Sequence, residues 1–227
     1  MTEEKHYKLV IFDLDGTLLD TADGIIAATK FTIEQFGLHD LSDKQLKSFI
    51  GPPIRDSFEK AFNLESETLQ NMVSVFRNRY KEVDLFKATP YSGIYELLRD
   101  LKTAGIRLAV ATYKREDYAL KLLSYFGFDK YFDVMHGADP NNLLKKADII
   151  KKCIEELGFT DKNNVIMVGD TVSDEHGALN VGIDFIGVTY GFGYSDIKHF
   201  NNKSPVRYAA TPTDVKKILL GMNDICD

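Results

Sequence analysis

Leu9-Val10-Ile11-Phe12-Asp13-Leu14-Asp15-Gly16-Thr17 is the stretch that decides the fold. An unbroken apolar run suits a strand buried on both faces, and the abrupt change to Asp, Asp and Gly marks where the backbone leaves the core. Open α/β sheets bind ligands at that carboxyl end. Side chains at i and i+2 of an extended segment point the same way. Two carboxylates held so close repel unless a cation sits between them or one keeps its proton. The pair therefore implies a divalent metal or an acid/base pair.

Working outward, apolar runs of strand length recur at 106–111, 132–135, 165–168 and 185–188. Between them Ala119, Leu122, Leu123 and Phe126 keep helical spacing, as do Ala147, Ile150, Ile154 and Leu157, and these runs stop at Gly127 and Gly158. Strand and helix in this rhythm predict a doubly wound, Rossmann-like parallel sheet covered on both faces. The interval from the first strand to the second is far longer than one crossover needs, and its texture is helical. Thr21 can cap a helix running to Phe36 with Gly37 as its stop, and Ser42-Asp43-Lys44-Gln45 reads as a capping box for a second helix ending at Gly51. Leu69, Met72, Val73, Phe76, Tyr80 and Val83 form the stripe of a third. The organisation expected is an α/β core over 1–19 and 89–227 with an all-helical cap inserted over 20–88. Pro90 and Gly93 bracket the return to the core, where Ser92 is the expected N-cap of a helix reaching Thr103.

At 227 residues the chain exceeds the usual domain of about 100–150 residues without reaching two. A hydrophobic fraction of 44 % is that of a globular protein, and no apolar run reaches the roughly 18 residues of a membrane span. The amino-terminal residues lack a secretory pattern, so a cytoplasmic location is the default. Cys153 and Cys226 have no metal-ligand spacing and read as free thiols, and the Asn202-Lys203-Ser204 sequon lacks a secretory context. A net charge of −6 with interspersed signs argues against a nucleic-acid polymer or a membrane surface as partner. A small anionic substrate needs locally placed positive charge instead.

Four segments fall where the topology brings strand ends together: 13–17, Ala111-Thr112, Lys145-Lys146, and Gly169-Asp170-Thr171-Val172-Ser173-Asp174. The last repeats the logic of the first, an apolar strand running into Gly and Asp with a second Asp four residues on. In these motifs and their order the chain resembles the haloacid dehalogenase superfamily, specifically its phosphatases with a helical cap, over nearly its whole length. The resemblance implies an enzyme, a phosphatase hydrolysing phosphoric monoesters, with Asp13 as the nucleophile forming an aspartyl-phosphate and Asp15 as general acid/base. It implies Thr112 as a hydrogen-bond donor to the phosphoryl group and a lysine as its charge partner. Lys146 is preferred to Lys145 for that role because it opens the helical pattern, and Ala147 stands where many relatives have Pro. Mg²⁺ is the implied cofactor, held by Asp13, the Asp15 backbone carbonyl, Asp170 and Asp174; Mg²⁺ favours such hard oxygen ligands.

Substrate contacts are expected from Gly16 and Thr17, from Tyr113 with Lys114 bordering the substrate beside Thr112, and from Arg55, whose segment Gly51-Pro52-Pro53-Ile54-Arg55 looks like the cap loop of phosphoglycolate phosphatases. Each has a plainer reading: Arg55 as solvated helix punctuation, Tyr113 and Lys114 as a solvated helix start, Asp174 as a helix N-terminal acid, and the run 190–194 as an aromatic-flanked turn. The expected partner is a small phosphorylated metabolite, handled by a monomer or homodimer. Within the same chemistry a 5′-nucleotidase, an inorganic pyrophosphatase or a sugar-phosphate mutase stays open, and outside it a non-catalytic sensor of phospho-ligands.

Overall fold

The computed structural model describes residues 5–140, 143–194 and 207–221; the sequon and Cys226 lie outside them. Six parallel strands, β1 (Leu9–Phe12), β4 (Arg107–Arg115), β5 (Val134–Ala138), β6 (Val165–Gly169), β7 (Asp184–Val188) and β8 (Arg207–Ala209), form one sheet in the order β5-β4-β1-β6-β7-β8. Register is set by the central strand: Phe12 lies opposite Val110 on one side and Val168 on the other. Asp13 and Asp170 thus emerge from neighbouring strands at the same edge. Every residue of β1 and β6 is buried, as unbroken apolar runs require when helices cover both faces. Two apolar clusters result, one on each face of the sheet; Val10 and Phe12 point into one, Leu9 and Ile11 into the other.

The helices of the core are α5 (Ile94–Thr103), α6 (Glu116–Tyr125), α7 (Lys146–Glu156), α8 (Val172–Val181) and α9 (Pro212–Leu220). Gly127 and Gly158 close α6 and α7 in the left-handed region, φ 65° and 71°, as the sequence predicts. Three local expectations are corrected. Thr21 precedes α1 (Ala22–Gln35) but makes no side-chain cap; Asp20 Oδ1 accepts the Ala22 N–H at 3.0 Å instead. Gly93, at φ 85°, rather than Ser92, caps α5. Strand β4 runs past Ala111 to Arg115 through an irregularity in its pairing with β5, so Tyr113 and Lys114 lie on the strand extension rather than at a helix start.

Chain leaves the sheet through β2 (Leu19–Asp20) and returns through β3 (Thr89–Pro90), which pair antiparallel as a two-stranded ribbon. Between them lie α1, α2 (Asp43–Lys47), α3 (Ile54–Phe62), α4 (Ser66–Arg79) and a π-helical turn, Tyr80–Asp84. The Ser42–Gln45 capping box forms as expected, but α2 stops at Lys47, short of Gly51. Rings carry packing across the junction: Phe76 stacks on Tyr80, whose edge meets Tyr118 at the start of α6. No helix among the described residues is long and apolar enough to cross a membrane.

Candidate active site

After β1 the chain turns sharply. The Leu14 carbonyl accepts the N–H groups of Thr17, Leu18 and Leu19, and Gly16 takes φ 79°. A Cβ on Gly16 would fall 2.1 Å from Asp170 Oδ2, so both its handedness and its lack of a side chain are used. This turn holds Asp13 and Asp15 at the strand end, both nearly buried.

Asp13, Asp170 and Asp174 each bring one carboxylate oxygen within 4.8 Å of the others, and all three are buried. Lys146, buried at the first residue of α7, donates from Nζ to Asp13 Oδ1 at 2.7 Å. The same ammonium lies 2.6 Å from Asp174 Oδ1, an ion contact without the alignment of a hydrogen bond. Lys145 is exposed, so of the two lysines it is Lys146 that reaches Asp13. Asp174 does two things at once. Its Oδ2 accepts the Thr171 N–H at 3.0 Å and hydroxyl at 2.7 Å, closing a capping box on α8, while Oδ1 faces Lys146.

Asp170 is held by a loop the sequence leaves as an aromatic-flanked turn. Its Oδ2 accepts the N–H groups of Phe192 at 2.7 Å and Gly193 at 3.2 Å, and its Oδ1 is buried with no hydrogen-bond partner. Gly191 lets that loop approach, since a Cβ there would lie 2.4 Å from the Asp170 Cβ. Tyr190 anchors the loop by donating its hydroxyl hydrogen to the Thr17 carbonyl at 3.1 Å.

On the opposite side, Thr112 is buried and its hydroxyl accepts the Lys114 N–H at 3.2 Å. The Lys114 side chain, 5 % exposed, reaches Asp15 Oδ2 at 3.0 Å and lies under the Tyr80 ring. Asp15 Oδ1 is buried without a hydrogen-bond partner. Tyr113 borders the space beside Asp15 and Lys114, while its hydroxyl accepts the Lys146 N–H at 2.9 Å and its ring lies near the ammonium. Sequence reasoning names Lys114 only as a border residue and does not find Phe192 and Gly193. A backbone donor has no residue-type signature, and the partner of Lys114 lies 99 residues away.

Electrostatically the cluster is under tension. Burial pushes the Asp13 carboxyl up; Lys146 pulls it back and the Asp174 charge adds to the rise, leaving it at about 6. Burial, then the Asp174 and Asp13 charges, raise Asp170 well above the carboxylate range despite its two backbone hydrogen bonds. Burial opposes the charge of Lys146, but the two carboxylates outweigh it and hold the ammonium protonated. Three buried carboxylates against one cation, with Asp170 Oδ1 buried and unpartnered, fit a further hard cation among Asp13, Asp170 and Asp174.

A cavity of about 80 Å³ opens from Asp15 and Lys114 towards the helices, bounded by Phe49, Pro53, Tyr80 and Arg77. Arg55 is exposed and lines a neighbouring groove, not this cavity.

Comparison with known proteins agrees with this geometry. A 5′-nucleotidase of Pseudomonas aeruginosa is 30 % identical over 214 residues, 94 % of this chain and 96 % of its own. A phosphoglycolate phosphatase of Agrobacterium fabrum is 36 % identical over 203 residues, covering 87 % and 86 %. The crystal structure of a predicted phosphatase from Clostridium acetobutylicum superposes with a TM-score of 0.85 at 33 % identity, over 96 % of this chain and 100 % of that one. The family model for haloacid dehalogenase-like hydrolases matches residues 10–188. With an Asp pair after its first strand, a buried lysine between carboxylates and a family match across most of its length, the chain belongs to the haloacid dehalogenase-like hydrolases.

Proposed function

We propose that this protein is a Mg²⁺-dependent phosphatase that hydrolyses a small phosphorylated metabolite through an aspartyl-phosphate on Asp13. The observation that carries the reading is the contact of Lys146 Nζ with Asp13 Oδ1 beside Asp170 and Asp174. That contact leaves Asp13 Oδ2 to attack phosphorus. Names of the relatives, a 5′-nucleotidase and a phosphoglycolate phosphatase, support a phosphomonoester substrate.

In this mechanism Asp13 forms a bond to phosphorus as the ester P–O bond breaks, and Asp15, which takes up a proton as the phosphate dianion enters beside its pair with Lys114, gives that proton to the departing alkoxide. Asp15 then takes a proton from water as that water attacks the aspartyl-phosphate, which releases phosphate and restores the Asp13 carboxylate. Lys146 and the Thr112 hydroxyl meet the equatorial oxygens, where charge is spread in the transition state. Mg²⁺, held by Asp13, Asp170 and the Asp15 carbonyl with Asp174 behind them, would neutralise phosphate charge when bound. Residues 20–88 act as a cap on a core of 1–19 and 89–227, moving about the β2–β3 ribbon to exclude water during attack. Gly16 and Thr17 line the phosphate side of the turn, and the cap loop that ends at Arg55 faces the rest of the substrate.

The test is turnover of para-nitrophenyl phosphate with Mg²⁺, with and without EDTA, in the native protein and in Asp13→Asn. Turnover lost on both changes, with a phosphoryl adduct on Asp13 found by mass spectrometry after acid quench, is expected. Phosphate-ligand binding with no hydrolysis at any metal concentration would mean a sensor. A rate unchanged in Asp13→Asn would remove Asp13 as nucleophile.

A further inference from the structure

Next to the small cavity lies a groove of about 710 Å³ between α3 and α4 on one wall and the start of α6 on the other. Arg55, Arg77, Lys81 and Arg115 line it against a single acid, Asp117. Such a concentration of one sign stands out on a chain whose net charge is −6. Arg115 is fixed in place, paired through both nitrogens with Asp117 at 2.6 and 2.5 Å and stacked over the Tyr118 ring at 4.4 Å. Arg55 and Arg77 form no ion pair among the described residues, and Lys81 pairs only with the exposed Glu82 outside the groove. Like charges gathered in one groove favour the entry of an anion. Arg77, Arg115 and Tyr118 also line the cavity that holds Asp15, so the two spaces adjoin.

We propose that this groove binds a second anionic group of the substrate, at the end remote from the phosphate that is cleaved. The inference rests on the phosphatase reading above and narrows its substrate class to phosphomonoesters that carry another carboxylate or phosphate. The molecule must be longer than the small cavity alone can hold. Arg55 and Arg77, one from each cap helix, supply the forked donors that grip such a group in two places at once. A neutral far end would leave both cations without a counter-charge in the groove.

The experiment compares alkyl phosphates of increasing chain length whose far end is a hydroxyl, a carboxylate or a second phosphate, hydrolysed with Mg²⁺. An anionic end is expected to raise kcat/KM about tenfold over the hydroxyl end, mainly through KM, above a minimum chain length. That preference should shrink in Arg55→Gln/Arg77→Gln and at high ionic strength. Whether the carboxylate or the phosphate series gains more identifies which group the groove serves. Equal rates for all three ends, or a preference that survives the double substitution, overturns the proposal. If none of these esters is hydrolysed, the phosphatase reading fails. Titration calorimetry with an alkane bisphosphonate then tests the groove alone, with binding weakened by the double substitution in its favour and no binding, or equal binding, against it.

Discussion

Lys114 Nζ sits 3.0 Å from Asp15 Oδ2 and 5.0 Å from the centroid of the Tyr80 ring, so one ammonium links a carboxylate of the sheet to a ring of the inserted helices. Burial disfavours this charge, yet Asp15 and Tyr80 hold it well protonated. The arrangement pairs one buried cation with one buried anion, and neither has a substitute at hand.

Removing half of that pair should cost more than removing both. Lys114→Met leaves the Asp15 carboxylate buried and alone, and about 3 kcal/mol of stability is expected to be lost. Asp15→Leu/Lys114→Met should be less destabilised than the sum of its single changes. Urea denaturation of the four proteins checks the cycle; additive losses would show that the two groups do not interact.

The Asp13 carboxyl, raised to about 6 by burial and only partly offset by Lys146, predicts an unusual pH response. A group whose folded pKa lies above its unfolded value stabilises most below the unfolded pKa, here about 4, and that contribution disappears as pH rises through about 6. Melting temperatures in EDTA should therefore fall between about pH 4 and 7. The fall should be smaller in Asp13→Asn and smaller again with Mg²⁺ present. Identical slopes in native and variant protein would count against a raised Asp13.

Gly191 offers a steric probe free of backbone strain, because its φ is outside the left-handed region. An added Cβ meets the Gly16 carbonyl oxygen at 2.3 Å and the Asp170 side chain at 2.4 Å. Gly191→Ala should displace Asp170 and lower turnover about tenfold or more, a loss of some 1.4 kcal/mol in transition-state stabilisation. Gly37→Ala is the contrast. It has φ 59° and open space around it, so it should cost about 1 kcal/mol of stability and leave the rate alone.

Cys153 is buried in α7, its thiol donating to the Val110 carbonyl at 3.3 Å, and burial, then the Glu156 charge, push it up to about 12. In a Cys226→Ser background the folded protein should give no reaction with a thiol reagent at pH 8, and one equivalent should react after denaturation. Rapid labelling of the native protein would mean that α7 opens readily.

The central strands were legible because burial on both faces demands continuous apolar runs, and Leu9–Phe12 and Val165–Gly169 satisfy it. Strand β8 was not, since Arg207-Tyr208-Ala209 is too short to show a pattern. The acidic cluster could be anticipated from two Asp-bearing strand ends that must be neighbours once the order of the sheet is known. The cap signals at Thr21 and Ser92 misled. The Lys87 carbonyl takes the Gly24 N–H that a Thr21 cap would use, and Gly93 can adopt a backbone that Ser92 would resist. Lys145 is the extended N-cap of α7 and Lys146 its first residue, and that change of backbone separates solvent from the Asp13 carboxylate. What stayed hidden were contacts between remote parts of the chain: Lys114 with Asp15, and the Phe192 and Gly193 N–H groups with Asp170.

The ribbon of Leu19–Asp20 against Thr89–Pro90 brings both ends of the inserted helices to one place. Closing a loop costs only slowly more as it lengthens, about 0.6 kcal/mol for each doubling. For the sheet, then, the size of what hangs from this ribbon is almost immaterial, provided the two strands still meet. Insertions of quite different length and lining could be exchanged at this point while Asp13 and Asp170 keep their register. The ribbon thus separates a part whose geometry is constrained by the register of Asp13 and Asp170 from a part under no such constraint.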